Sequence, residues 1–93
     1  MLAKSDRHAA REAVAAYHER QLAALVEHVS AAIDRYRDGE LDAFGVDQVV
    51  FRYSRAAKEL WKFCNLGDPE LAANIVLERP AVDWWERGSP RKR

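Results

Sequence analysis

The 93 residues carry fifteen basic and fifteen acidic side chains and no net charge, which excludes a whole-protein field drawing the chain to nucleic acid or to an acidic membrane surface. The length suits one small domain, and 48% apolar residues are enough to fill its core. A single cysteine, Cys64, excludes an internal disulfide and a multi-thiolate metal site.

The Met-Leu-Ala-Lys start lacks the apolar run of a signal peptide, and no segment approaches the ~20 apolar residues of a membrane span. A cytoplasmic protein with no membrane contact is therefore expected. From Ser5 to Asp38 the chain has neither Pro nor Gly. Val14, Tyr17, Leu22, Leu25, Val26, Val29, Ala32, Ile33 and Tyr36 recur at three- and four-residue steps, which is helical periodicity. Leu22, Leu25, Val29, Ala32 and Tyr36 form a 3-4-3-4 seam for a packed neighbour. Ser5 is the expected N-cap, Arg35 and Arg37 suit the negative C-terminal end, and Gly39 supplies a left-handed stop. Such a helix is roughly 50 Å long at ~1.5 Å per residue. That exceeds a compact chain of this size, whose radius of gyration is about 12 Å.

Glu40 to Phe44 reads as a connector with Leu41 and Phe44 turned into the core, broken by Gly45. Asp47 is the expected N-cap of a second helix, with Val46 and Phe51 as a hydrophobic staple. Its apolar stripe is Val46, Val50, Tyr53, Ala57, Leu60 and Cys64, widened by Val49, Ala56, Trp61 and Phe63. Arg52, Arg55, Lys58, Glu59 and Lys62 take the opposite, solvated face, and Asn65-Leu66-Gly67 ends the helix. The stretch GELDAFGVDQVVFRYSRAAKELWKFC resembles one found in small bacterial helical proteins of unassigned function.

Asp68-Pro69-Glu70 has the order N-cap, first-turn Pro, first-turn acid, and opens a third helix running to Arg79, where Pro80 ends it. The second and third helices together reach about 42 Å at ~1.5 Å per residue, which leaves the first turns of the long helix, Arg7 to Val14, uncovered within one chain. One further turn is expected around Asp83 to Arg87. The fold expected is all-α: a long N-terminal helix packed antiparallel with a second, then a shorter third and a terminal turn, in an elongated hairpin or bundle. Residues 1–87 make the domain, and 88–93 a flexible basic tail.

His8, His18 and His28 stand ten residues apart, so they spiral around the first helix instead of converging. No metal site and no cofactor are expected. Cys64 ends an apolar stripe, where a small buried hydrophobe is the expectation. No phosphate loop or serine nucleophile motif marks a small-molecule substrate. Arg52, Arg55 and Lys62 offer a mildly basic face for phosphates, but Glu59 among them favours a solvated surface over nucleic acid. Trp84-Trp85 is the more informative pair. Adjacent helical residues diverge by about 100°, so one short turn does not easily bury both, and Trp and Arg are enriched among binding hot spots. Trp84, Trp85 and Arg87, with the uncovered Val14 and Tyr17, are thus expected to bind a protein partner, a second copy of the chain, or both.

Arg11 and His18 share one helix face. Their spacing is similar to the Arg-x(4–6)-His motif of HEPN-type ribonucleases, although Glu12 follows the Arg and the pair sits near the start of the chain. The resemblance implies Arg11 stabilising phosphate charge and His18 in proton transfer or phosphate binding, in a ribonuclease or RNA-binding protein. The leading expectation is different: a non-enzymatic interaction module of a bacterial cytoplasm, similar in size and class to small helical antitoxins or regulatory partners.

Overall fold

The computed structural model describes residues 4–68, 72–73 and 82–90. Three helices are delimited: α1 at Lys4–Arg37, α2 at Ala43–Asn65 and α3 at Trp84–Arg87. The described part is all-α. The molecule measures 56 × 30 × 19 Å with a radius of gyration of 16.2 Å, so the long first helix does stretch the domain beyond a compact globule.

Helix α1 begins at Lys4, so Ser5 lies inside it and is not its N-cap. Its far end matches expectation. Gly39 takes φ 79°, its N–H donates to Tyr36 O (3.1 Å) and the Glu40 N–H donates to Arg35 O (2.9 Å). Together these form a Schellman stop, which satisfies carbonyls the helix would leave free.

The start of α2 differs from expectation. Asp42, not Asp47, is the N-cap, and its side chain accepts from the Gly45 N–H at 2.8 Å. Gly45 therefore sits inside the first turn instead of breaking the chain. It is small because Leu41 folds over it: a Cβ at position 45 would stand 2.4 Å from Leu41 Cδ1. Capping from Asp42 moves the helix start five residues earlier and turns Phe44 outward, where it is 79% exposed. Phe44 is not a core residue, and Phe51 also faces solvent.

α1 and α2 run antiparallel. Tyr17 meets Phe63 edge-on at 6.0 Å between ring centroids, and Tyr17, Leu25, Ala56, Leu60 and Trp84 make the main core. The α1 contact line is thus Val14, Tyr17, Leu25 and Ala32, all buried, while the seam position Tyr36 is half exposed. Ala56 and Leu60 are fully buried, and the small Ala56 side chain lies directly under Gly88.

The expected third helix lies largely outside the described residues. Ala72 and Ala73 are helical and buried against Val14, beside Ala10, Phe63 and Cys64. The first turns of α1 are therefore not all bare: Val14 is only 5% exposed. The chain then returns to lay α3 along one face of the hairpin, with Asp83 capping it by accepting from the Glu86 N–H at 3.1 Å. Ordered packing extends past Arg87, since Gly88 is buried and rests on the α2 backbone.

Gly88 gives a sharp test of that seating. A Cβ there would lie 2.5 Å from Arg52 O and 2.9 Å from Ala56 N, both backbone atoms that cannot step aside. Gly88→Ala is expected to lower unfolding stability by about 2 kcal/mol, read by urea denaturation. Gly67→Ala, with open space around the glycine, is the control and should leave the midpoint nearly unchanged.

Candidate functional site

The residues expected to bind a partner are used by the chain itself. Trp84 is 4% exposed, and its indole Nε1–H donates to Tyr17 Oη at 2.8 Å in the core. Phe63 packs on its ring at 5.4 Å and the Arg87 guanidinium lies 5.3 Å from its centroid. Val14 and Tyr17 are buried as well. The half-buried Trp85 ring is held between two cationic or polar planes: the His28 imidazole stacks on it at 4.1 Å and 1°, and the Arg52 guanidinium lies 4.6 Å from its centroid. Of these side chains Arg87 stays exposed, while Val14, Tyr17 and Trp84 are buried and Trp85 is half-buried in contacts within the chain. Two adjacent tryptophans are accommodated because one enters the groove between α1 and α2 and the other bridges its rim.

The basic face of α2 also has an internal task. Arg52 Nε–H donates to Trp85 O (3.0 Å) and its Nη2 to Glu86 Oε2 (3.1 Å), while Arg55 Nε–H donates to Gly88 O (2.7 Å). A four-residue helix leaves most of its carbonyls unpaired, and the two guanidinium groups supply donors to that end. Arg52 and Arg55 are thus clamps on α3, Arg52 half-buried and Arg55 still exposed to solvent. Lys62 remains exposed.

Arg11 and His18 line one shallow depression of 280 Å³ with Val14, Ala15, Cys64 and Asn65. Arg11 is exposed and His18 half-buried. Burial pushes the Cys64 thiol pKa up, away from the thiolate a nucleophile needs. Among the described residues no group of three His, Cys, Asp or Glu side chains is placed to hold a metal ion. No helix among them is long and apolar enough to cross a membrane.

What remains is the other side of the hairpin. At about 100° per residue, the α3-bearing side of α2 is that of Arg52, Arg55 and Ala56, and that of α1 is the side of Tyr17 and His28. Turned away from α3 are Val50, Ala57 and Trp61 on α2, and Leu22, Val26, Val29 and Ile33 on α1, with Tyr36 at the edge. The α1 set advances in three- and four-residue steps, and the α2 set in steps of seven and four. Val26 is 46%, Tyr36 51%, Val50 42% and Trp61 50% exposed, with the others half-buried between them. The hairpin therefore has two apolar faces. One is covered by Trp84 and Trp85, and among the described residues nothing covers the other. Sequence reading saw these residues as core stripes, because periodicity shows that a face is apolar and not which neighbour covers it.

No protein-family model matches the sequence, and no match was found among curated proteins or solved structures.

The internal tryptophan site yields two predictions. Tyr17→Phe leaves the buried Trp84 N–H without an acceptor, so it is expected to cost about 1–3 kcal/mol in chemical denaturation. Trp84→Phe with Tyr17→Phe should cost less than the two single changes added together. At Cys64, the native thiol is expected to alkylate more slowly at neutral pH than in urea. Because its folded pKa is raised, it contributes stability below the unfolded thiol's pKa, and loses that contribution as pH rises from there through the folded pKa. A plot of unfolding free energy against alkaline pH for the wild type and Cys64→Ala reads this directly.

Proposed function

We propose that the protein is a small non-catalytic interaction module of the cytoplasm, whose working surface is the open apolar face of the α1–α2 hairpin. The observation that carries the reading is the alignment of Val26, Val50 and Trp61, each close to half exposed, on the side that α3 leaves bare. Scattered exposed apolar residues are ordinary in small proteins, but a contiguous stripe on two adjacent helices is the pattern of a protein-binding surface. Trp61 supports the reading further, since a half-exposed tryptophan flanked by apolar neighbours suits a binding anchor. The size and helical class are similar to those of small helical antitoxins and regulatory partners, which makes neutralisation or control of another bacterial protein the proposed role. On this reading the anchors are Trp61, Val50 and Val26, in place of Trp84, Trp85, Arg87, Val14 and Tyr17.

A second reading has one observation in its favour: Arg11 and His18 line the same depression. Cleavage of RNA by His18 with Arg11 on the phosphate predicts activity lost on His18→Ala. Wild-type protein that leaves RNA intact ends that reading.

Position-specific photocrosslinking tests the leading one. A benzophenone side chain at position 61 is expected to give a discrete crosslinked species in native lysate, while the same group at exposed position 27, on the outer side of α1, gives none. Equal yields from the two positions, or none from either, would overturn it.

A further inference from the structure

We infer that the open face of the hairpin is occupied by a second copy of this chain, packed as an isologous dimer in which α1 runs antiparallel to its counterpart and α2 to its own. The inference rests on the proposed working surface and seats a second copy there in place of another bacterial protein.

The argument comes from charge placement. Glu19 and Arg37 flank the open face on α1, and Asp47 and Lys58 flank it on α2. All four are exposed. Among the described residues none of the four belongs to an ion pair, the pairs there being His8–Glu12, Arg35–Glu40 and Arg52–Glu86. Glu19 and Arg37 are separated by five whole helical turns and Asp47 and Lys58 by about three, so each pair shares one azimuth at ~3.6 residues per turn.

The level of these charges along the hairpin is fixed by Trp85. Its ring contacts His28 of α1 and Arg52 of α2 together, so those two residues stand at the same height. Glu19 and Arg37 lie nine residues either side of His28. Asp47 and Lys58 lie five and six residues either side of Arg52. Both opposite-charge pairs are thus centred on one level. A two-fold axis crossing the hairpin at that level, parallel to the open face, brings Glu19 against Arg37 of the other copy and Asp47 against Lys58 of the other copy. Each pair occurs twice.

The same axis crosses the middle of the apolar stripe, near Val29 on α1 and Tyr53 on α2, so the tryptophans at position 61 sit toward the ends. The alternative two-fold, running along the hairpin, sets Glu19 against Lys58 and Arg37 against Asp47. It misses level by three and four residues, or about 5–6 Å at ~1.5 Å rise. The crossing axis therefore fits better. Four turns (~22 Å) of two helices spaced ~10 Å apart offer a footprint on the order of 400 Å², a small interface beside the ~800 Å² per partner of a standard one, so the four rim charges carry much of its specificity.

The full chain is expected to sediment with a concentration-dependent mass rising to twice 10.6 kDa. Val26→Glu should hold it at one chain mass with its helical circular dichroism unchanged. Glu19→Arg, at the rim, is expected to weaken the dimer about tenfold, and Glu19→Arg with Arg37→Glu to restore it, because the swapped charges meet each other across the axis. Rescue of Glu19→Arg by Lys58→Glu instead would establish the other axis and overturn this arrangement. In a Cys64→Ala background, Val29→Cys should form an intermolecular disulfide under mild oxidation. A wild-type chain that stays monomeric at millimolar concentration overturns the dimer. The proposed function itself fails if the benzophenone at position 61 captures nothing, or no more than the one at position 27, whereas a crosslink to a different protein from a monomeric chain leaves the working surface standing without the second copy.

Discussion

The structure turns on the seating of Trp84 and Trp85 against the helical hairpin. A four-residue helix has no stability of its own, because the cost of nucleating a turn exceeds what one or two hydrogen bonds return. α3 exists where it does because α2 presents Arg52 and Arg55 to its carbonyls and because Trp84 finds both a cavity and an acceptor, the Tyr17 hydroxyl. Remove that acceptor and the indole N–H must be buried unpaired or the ring withdrawn into solvent. The glycine that follows lets the chain lie directly on the α2 backbone. Local sequence, side-chain packing and tertiary path are thus tied together over six residues.

The same seating makes the hairpin two-sided in composition and one-sided in cover. Tyr17 and His28 on α1, with Arg52, Ala56 and Phe63 on α2, meet the C-terminal segment. Leu22 and Ala57 reach the same core from the other side, and beyond them Val26, Val50 and Trp61 stay close to half exposed. In a slab 19 Å thick, little lies far from either surface, and Leu60 is the largest side chain that is fully enclosed. Small domains bury a lower fraction of their surface than large ones and gain correspondingly less from it. An uncovered apolar face on such a slab is surface whose hydration opposes the stability of the chain alone.

Much of the architecture was legible in the sequence, and the reasons are physical. The length of α1, its Gly39 stop, the antiparallel α2 and the terminal turn follow from periodicity and end signals, which act over a few residues. The start of α2 was misread because Asp42 and Asp47 are both competent caps, and the choice between them depends on Leu41 lying over Gly45. The partners of Arg52 and Arg55 were invisible for a different reason. Arginine on the polar side of an amphipathic helix looks the same whether it faces water or caps a helix thirty residues later. Trp84 and Trp85 show the converse: residues of a type enriched at binding hot spots make an intramolecular contact here. The open face was present in the apolar stripes but could be found only after α3 had been placed on the other side.

That placement also gives the free charges their meaning. Glu19, Arg37, Asp47 and Lys58 would read as ordinary solvated residues on any of the four positions taken singly. Their symmetry emerges only once Trp85 sets His28 and Arg52 at one height, because helix-by-helix counting carries no information about relative level. A surface selected only for solubility needs charge of either sign anywhere along the rim. A surface that meets its own copy needs opposite signs at equal distances from one axis, on both helices at once. The apolar stripe supplies the free energy of such a contact, and the rim charges select its register, since sliding by one turn would move every pair out of reach. The internal docking of α3 and the proposed external docking of a second copy therefore follow one construction. Apolar residues fill the contact, and a small number of charged groups at its edge decide which way round it is made.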